Sequence, residues 1–273
     1  MNEHASRSAA ARPRGDNRLG EEQQAGQQGD MNPRRPLTQR RARAAEMTPS
    51  EEEEVAALPV VEWRHLSDTQ ALAQGRTSEV RRAMLWLRGA AVPVVLKVSA
   101  DTCHERSMAE AAALHALEGV ASVPRLHGVT ATPPHILVMG WCPGVSVREL
   151  WRSGEARACL TALLHLCPVL AAVHARGVCH RDLRGAHNIL LHALDTEEDA
   201  QVYLIGFSGA ARHASRCGLE GDTRQVAGLA RDILQDMDKA FDPHIFRRRG
   251  EALRCLSEPL HLPQIASVLR RLL

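Results

Sequence analysis

The apolar residues of this chain change their period once, and that change limits the available folds more than any other feature. "AMLWLRGAAVPVVLKVS" (83–99) holds two Val- and Leu-rich runs separated by "RGAAVP", the outline of a strand hairpin, and "ILVMGW" (136–141) reads as a short buried strand. From residue 148 the pattern is helical. "RELWRSGEARACLTALLHLCPVLAAVHARG" (148–177) predicts one or two helices closed by Gly177, and "DTRQVAGLARDILQDM" (222–237) and "LPQIASVLRRLL" (262–273) predict amphipathic ones. One helix interrupts the first half: "ERSMAEAAALHALEGV" (105–120) is apolar at Met108, Ala111, Leu114 and Leu117, with Gly119 as its C-cap. Strands first and helices afterwards imply two lobes of different class, an α+β architecture.

The 273 residues, 44% of them hydrophobic, suffice for a core of ordinary size. Residues 1–60 contribute little to it. They hold no aromatic residue and are rich in Gln, Gly, Arg, Glu and Ala, so they predict a disordered tail, most clearly over 1–47. Inside it lie a basic cluster, "RRPLTQRRAR" (34–43), and "SEEEEVAAL" (50–58), a capping-box start with Glu53 three residues after Ser50. "LPVVEW" is the first stretch that looks buried and strand-like, placing the fold boundary between Leu58 and Trp63.

No apolar run reaches membrane-spanning length by inspection and no secretory signal precedes the fold, so a soluble protein of cytoplasm or nucleus is expected, with no membrane partner. A net charge of +2 is close to balance and predicts no strong bias toward nucleic acid or membrane, so no nucleic-acid partner is expected. The seven cysteines are widely spaced with no CxxC pair, which suggests neither a disulfide framework nor a zinc cage. Of 34 basic residues only Lys97 and Lys239 are lysine, so a lysine here is a rare choice.

Chemistry concentrates in "VCHRDLRGAHNILL" (178–191), followed by "VYLIGFSGA" (202–210). Together these resemble the catalytic loop and metal-binding turn of protein kinases, and the resemblance covers roughly 65–273. It implies a two-lobed fold, a small β-rich lobe over 61–141 and a mostly helical lobe over 142–273, with ATP as cofactor. In that family the loop aspartate handles the substrate hydroxyl, an asparagine holds one Mg²⁺, and the DFG aspartate holds the ions against the phosphates. The matching residues here are Asp182, Asn188 and Gly206.

By the same resemblance "VVLK" places Lys97 against the α- and β-phosphates, with Glu110 as its partner and Leu114 one turn further on. "ALAQGRTSEVRRAML" (71–85) would cover the phosphates, with Ala73, Gly75 and Ser78 in the three glycine slots, so only Gly75 is retained. "VMGWCPG" (138–144) resembles the hinge, with Met139 as gatekeeper and Trp141 and Cys142 offering backbone groups to adenine. Val80, Val95 and Leu190 match the residues that sandwich the adenine ring.

Four departures bear on activity. Gly206 offers no side chain to Mg²⁺, and Ser208 replaces the following glycine, although Phe207 is kept. The Asp182-to-Asn188 spacing is one residue longer than the pattern, so either the loop bulges or His187 takes the asparagine slot; continuation in register as "NILL" favours the bulge. The glycine loop is eroded. The segment between Gly206 and Asp222 is short and lacks an APE motif, which removes the usual peptide platform. The reading favoured is a kinase-fold protein with a nucleotide pocket and weak or lost catalysis, Asn188 being the remaining metal ligand, and with a protein as a further partner. An active divergent Ser/Thr-type or small-molecule kinase is the first alternative. A scaffold without ligand is the second.

Overall fold

The computed structural model describes residue 53 and residues 57–74, 78–99, 104–130, 136–192, 200–237 and 242–273, all within the unit Glu46–Leu273. The basic cluster, most of the acidic run, Gly75, Cys103, Lys239 and the acids at 195–199 lie outside these residues. The expected strand at "LPVVEW" is instead a single bridge, Val60 to Val129, followed by a 3₁₀ turn at Trp63–His65. Leu58 is nonetheless buried in the main core.

A five-stranded antiparallel sheet follows: β1 (Leu66–Gln74), β2 (Ser78–Leu87), β3 (Ala90–Ser99), β4 (Leu126–Val129) and β5 (Ile136–Gly140), in spatial order β1-β2-β3-β5-β4. Between β3 and β4 the chain makes helix α1 (His104–Ala116), whose Leu114 and Leu117 are buried. Residues of β3 alternate faces as the pleat requires. Val94 and Leu96 point into a small cluster with Ala83, Leu85, Ile136 and Val138, where each large aliphatic contributes about 1.5–3 kcal/mol by burial. Val95 and Lys97 fall on the opposite face, and Val95 packs against the main core.

The second lobe opens with β6 (Val145–Ser146) and α2 (Val147–Arg152). Ser146 starts α2 with a reciprocal capping box: the Glu149 amide donates to its Oγ at 3.2 Å, and its own amide donates to the Glu149 carboxylate at 3.1 Å. Next come α3 (Ala156–Ala175), the hairpin β7 (Ile189–His192) and β8 (Gln201–Leu204), and helices α4 (Arg216–Asp236), α5 (Pro243–Ser257) and α6 (Leu262–Leu272). The expected single long segment after 148 is therefore two helices, and Gly177 at φ +72° ends the second.

Helix α3 is long and apolar enough to cross a membrane by length and composition, with a mean hydropathy of 1.8, although Arg157, His165 and His174 interrupt its apolar run. Its Leu160, Leu163, Leu166, Leu170 and Val173 are fully buried, so its apolar surface forms the centre of this lobe. Helix α5 was not expected. Asp242 caps it by accepting from the amides of His244 and Ile245, both at 3.0 Å, and Pro243 fills its first turn.

Candidate nucleotide cleft

Strand register brings the expected upper-lobe residues to one face. Directly opposed residues of antiparallel strands point the same way. Val80 faces Lys97, Lys97 faces Leu137, and Val95 faces Met139. Lys97 Nζ meets Glu110 Oε2 at 2.5 Å, joining β3 to α1 across thirteen residues of sequence; Glu110 is 2% exposed and Lys97 17%. An ion pair this buried is maintained only while both partners are present. Of the glycine-loop slots, Ala73 pairs with Val80 in β1 and Ser78 opens β2, while Gly75 is outside the described residues.

The hinge keeps less free backbone than expected. The Trp141 amide donates to the Pro93 carbonyl at 3.2 Å, so that donor is already committed. The Trp141 indole ring lies 4.9 Å from the Arg82 guanidinium, a cation–π contact. Among the described residues the Cys142 amide has no hydrogen-bond partner, while burial pushes the Cys142 thiol up to about 12 and leaves it unreactive at neutral pH. Leu190 sits in β7, half-buried, opposite Tyr203 and Ser146.

The loop at 180–184 is held from beneath. Asp222, fully buried in α4, accepts from the His180 amide at 2.6 Å, the Arg181 amide at 2.7 Å and His174 Nε2 at 3.1 Å. Burial acts to raise its pKa, but these hydrogen bonds outweigh burial, and its carboxyl is held below the ordinary value. Gln225, one turn on, accepts from the amides of Leu183 and Arg184 at 2.9 and 3.1 Å. Arg181 takes φ +70°, a strained conformation that this set of bonds stabilises.

Asp222 and Gln225 are the residues that the sequence reading missed. Asp222 was expected to open its helix, but the helix begins at Arg216, where an Arg216–Glu220 pair at 2.8 Å carries it across two glycines. The available signal was a carboxylate in line with Val226, Leu229, Ala230 and Ile233, the buried stripe of α4. Only residues 207–215 separate Gly206 from that helix.

The turn at Gly206 is tied to the loop above it. His180 is fully buried; its Nδ1 accepts from the Asp182 amide at 3.2 Å, so its Nε2 carries the proton and donates to the Ile205 carbonyl at 2.8 Å. Burial lowers its pKa and keeps it neutral, in accord with that tautomer. Phe207 packs edge-on to the same ring at 4.8 Å. Cys179 and Ala211 exchange two backbone bonds of 2.9 Å and close the turn.

The extra loop residue is absorbed by a bulge in which Ala186 adopts φ +59° and buries its methyl group. Asn188 thereby reaches back: its Nδ2 donates to the Asp182 carbonyl at 2.8 Å and to Asp182 Oδ2 at 3.1 Å. His187 sits at the exposed edge, with Nε2 3.7 Å from the same carboxylate oxygen. Gly206 adopts φ +76°, and a Cβ placed on it would overlap Asn188 Oδ1. For Mg²⁺ the cleft thus offers one carboxylate and one amide oxygen already packed against the Gly206 backbone. That donor set does not fit the kinase arrangement, in which a carboxylate on the turn, absent at Gly206, holds the ions against the phosphates while waters and phosphate oxygens complete the octahedron. Among the described residues no group of three His, Cys, Asp or Glu could hold a metal.

A family model described as protein tyrosine and serine/threonine kinase matches residues 66–216, more than half of the chain. No curated protein matches it. With its β-sheet lobe followed by its helical lobe, the chain belongs to the protein tyrosine and serine/threonine kinase family and has the two-lobed α+β kinase fold.

Proposed function

We propose that this chain binds an adenine nucleotide of the ATP type in the cleft between its lobes, and that phosphoryl transfer is weak or lost. The observation that supports this reading is at residue 206, where Asn188 Oδ1 stands in the way of any Cβ on Gly206, a position to which the kinase pattern gives a metal-binding aspartate. Phosphoryl transfer depends on positioning and on electrostatic stabilisation, to which the metal ions contribute most, so losing the main ligand removes the largest contribution. Lys97 is then the principal charge for the phosphates. Val80, Val95, Met139 and Leu190 would form the apolar bed for the base, with Cys142 supplying backbone polar groups.

A second reading, an active divergent Ser/Thr-type or small-molecule kinase, is favoured by the formed Lys97–Glu110 pair and by the Asp182 carboxylate, which is 52% exposed although its Oδ2 accepts from Asn188. Consumption of γ-labelled ATP with Mg²⁺ or Mn²⁺ separates the two. Turnover no greater than that of Lys97→Met supports the first. Turnover that disappears in Lys97→Met and in Asp182→Asn establishes the second.

A further inference from the structure

Beside the loop that carries Asp182 lies a cavity of about 570 Å³, lined by Arg148, Trp151 and Arg152 of α2, Arg184 of the loop, and Ile233 and Asp236 of α4. Three arginines face a single acid. Among the described residues none of the three guanidinium groups has a hydrogen bond or an ion pair. Arg148 and Arg152 stand one helical turn apart, a like-charge arrangement that disfavours the isolated helix. Glu149, whose carboxyl is held below its ordinary value by its hydrogen bonds from Ser146 and, to a smaller degree, by the Arg152 charge, is engaged in the cap at 2.7 and 3.1 Å. The cavity wall is fixed, because the Arg148 amide donates to the Ala186 carbonyl at 3.2 Å and couples α2 to the loop bulge. Its floor is apolar, formed by half-buried Trp151 and buried Ile233.

We propose that this cavity docks an acidic peptide segment of a partner protein, one that alternates carboxylates with apolar side chains. Guanidinium forks match carboxylates in geometry and charge. The volume suits a ligand of several side chains rather than a lone anion, and the apolar floor accepts what lies between the acids. Arg184 is two residues from Asp182, so the docked segment runs beside the loop carboxylate. This inference does not depend on nucleotide binding in the cleft.

The test uses the full chain and a fluorescein-labelled peptide of alternating Glu and Leu, followed by anisotropy at low and at physiological salt. The acidic peptide binds, its Lys-for-Glu counterpart does not, and added salt weakens the complex. Arg148→Ala with Arg152→Ala weakens binding about tenfold or more. Arg254→Ala, an exposed charge on α5, leaves it unchanged. Melting temperatures accompany each variant, and Arg184→Gln replaces the double variant if the latter melts early. The proposal is overturned if both peptides bind alike, if Arg254→Ala costs as much, or if inorganic phosphate or a single-stranded oligonucleotide competes as well as the peptide does.

Discussion

Asn188 occupies the place of the side chain that residue 206 lacks. Its amide oxygen stands where a Cβ on Gly206 would go, while its amide nitrogen is bonded to Asp182 at 2.8 and 3.1 Å. The space beside the Gly206 Cα is thus closed by a hydrogen-bonded amide, and the glycine's left-handed backbone permits that approach.

Gly206→Ala is expected to displace Asn188 and to strain a left-handed residue, lowering stability by about 1–2 kcal/mol. Gly206→Asp displaces the same amide but returns a carboxylate beside Phe207, and aspartate tolerates this backbone region better than alanine. Nucleotide affinity of Gly206→Asp should become Mg²⁺-dependent while that of Gly206→Ala does not. Thermal shifts with ATP, with and without Mg²⁺, check both; identical behaviour of the two variants would mean that the restored carboxylate does not face the phosphates.

Lys97→Met should weaken ATP binding by about 1.5–3 kcal/mol, the range of a hydrogen bond to a charged group. It also leaves Glu110 buried without its partner, a defect of about 3–5 kcal/mol in stability. The double variant Lys97→Met with Glu110→Gln should recover much of that stability and none of the affinity. Lys97→Arg should lose affinity too, because a planar fork does not fit where a compact ammonium meets Glu110. Calorimetry paired with denaturant melts distinguishes these effects; ATP affinities equal to the parent's would make Lys97 a bystander.

Asp222→Ala removes the acceptor shared by the His180 and Arg181 amides and should cost about 1–3 kcal/mol for each buried amide left without a partner. The catalytic loop should open before the rest of the fold. Hydrogen exchange at residues 180–184 measures this directly, and protection equal to the parent's would show that Gln225 alone holds the loop.

Acid sensitivity follows from two groups. His180 has a folded pKa below its ordinary 6.5, so the unfolded chain binds more protons and stability falls as pH drops from about 6.5 towards the folded value. Asp222 is also lowered from its ordinary 3.8; its contribution is complete above that value and is lost as pH falls through the lower folded one. Melting temperature should therefore decline below about pH 6.5 and again below about pH 4. A flat profile between pH 7 and 5 would contradict the buried neutral His180.

The sequence revealed the two-lobed architecture because its strands and helices occupy separate blocks with distinct periods, and it brought Lys97 to Glu110 because both stand at recognisable places in their elements. It could not reveal how the loop absorbed its extra residue. That depends on Ala186 taking a positive φ and on space created at Gly206, neither of which has a local pattern. Helix α5 escaped notice because its buried Ile245, Ala252 and Leu256 are scattered among arginines, although Asp242 and Pro243 marked its start. The committed Trp141 amide was illegible for another reason: Pro93, its acceptor, belongs to a different strand.

Calorimetric titration of the full chain with ATP, once with excess Mg²⁺ and once with EDTA, tests the account most directly. On the proposed reading, in which Asn188 closes the metal position, the two dissociation constants should agree within about threefold, well under the 1.4 kcal/mol of a tenfold change. Binding at least about tenfold tighter with Mg²⁺ would contradict the account by requiring a working metal site, and no binding under either condition would remove nucleotide from the cleft altogether.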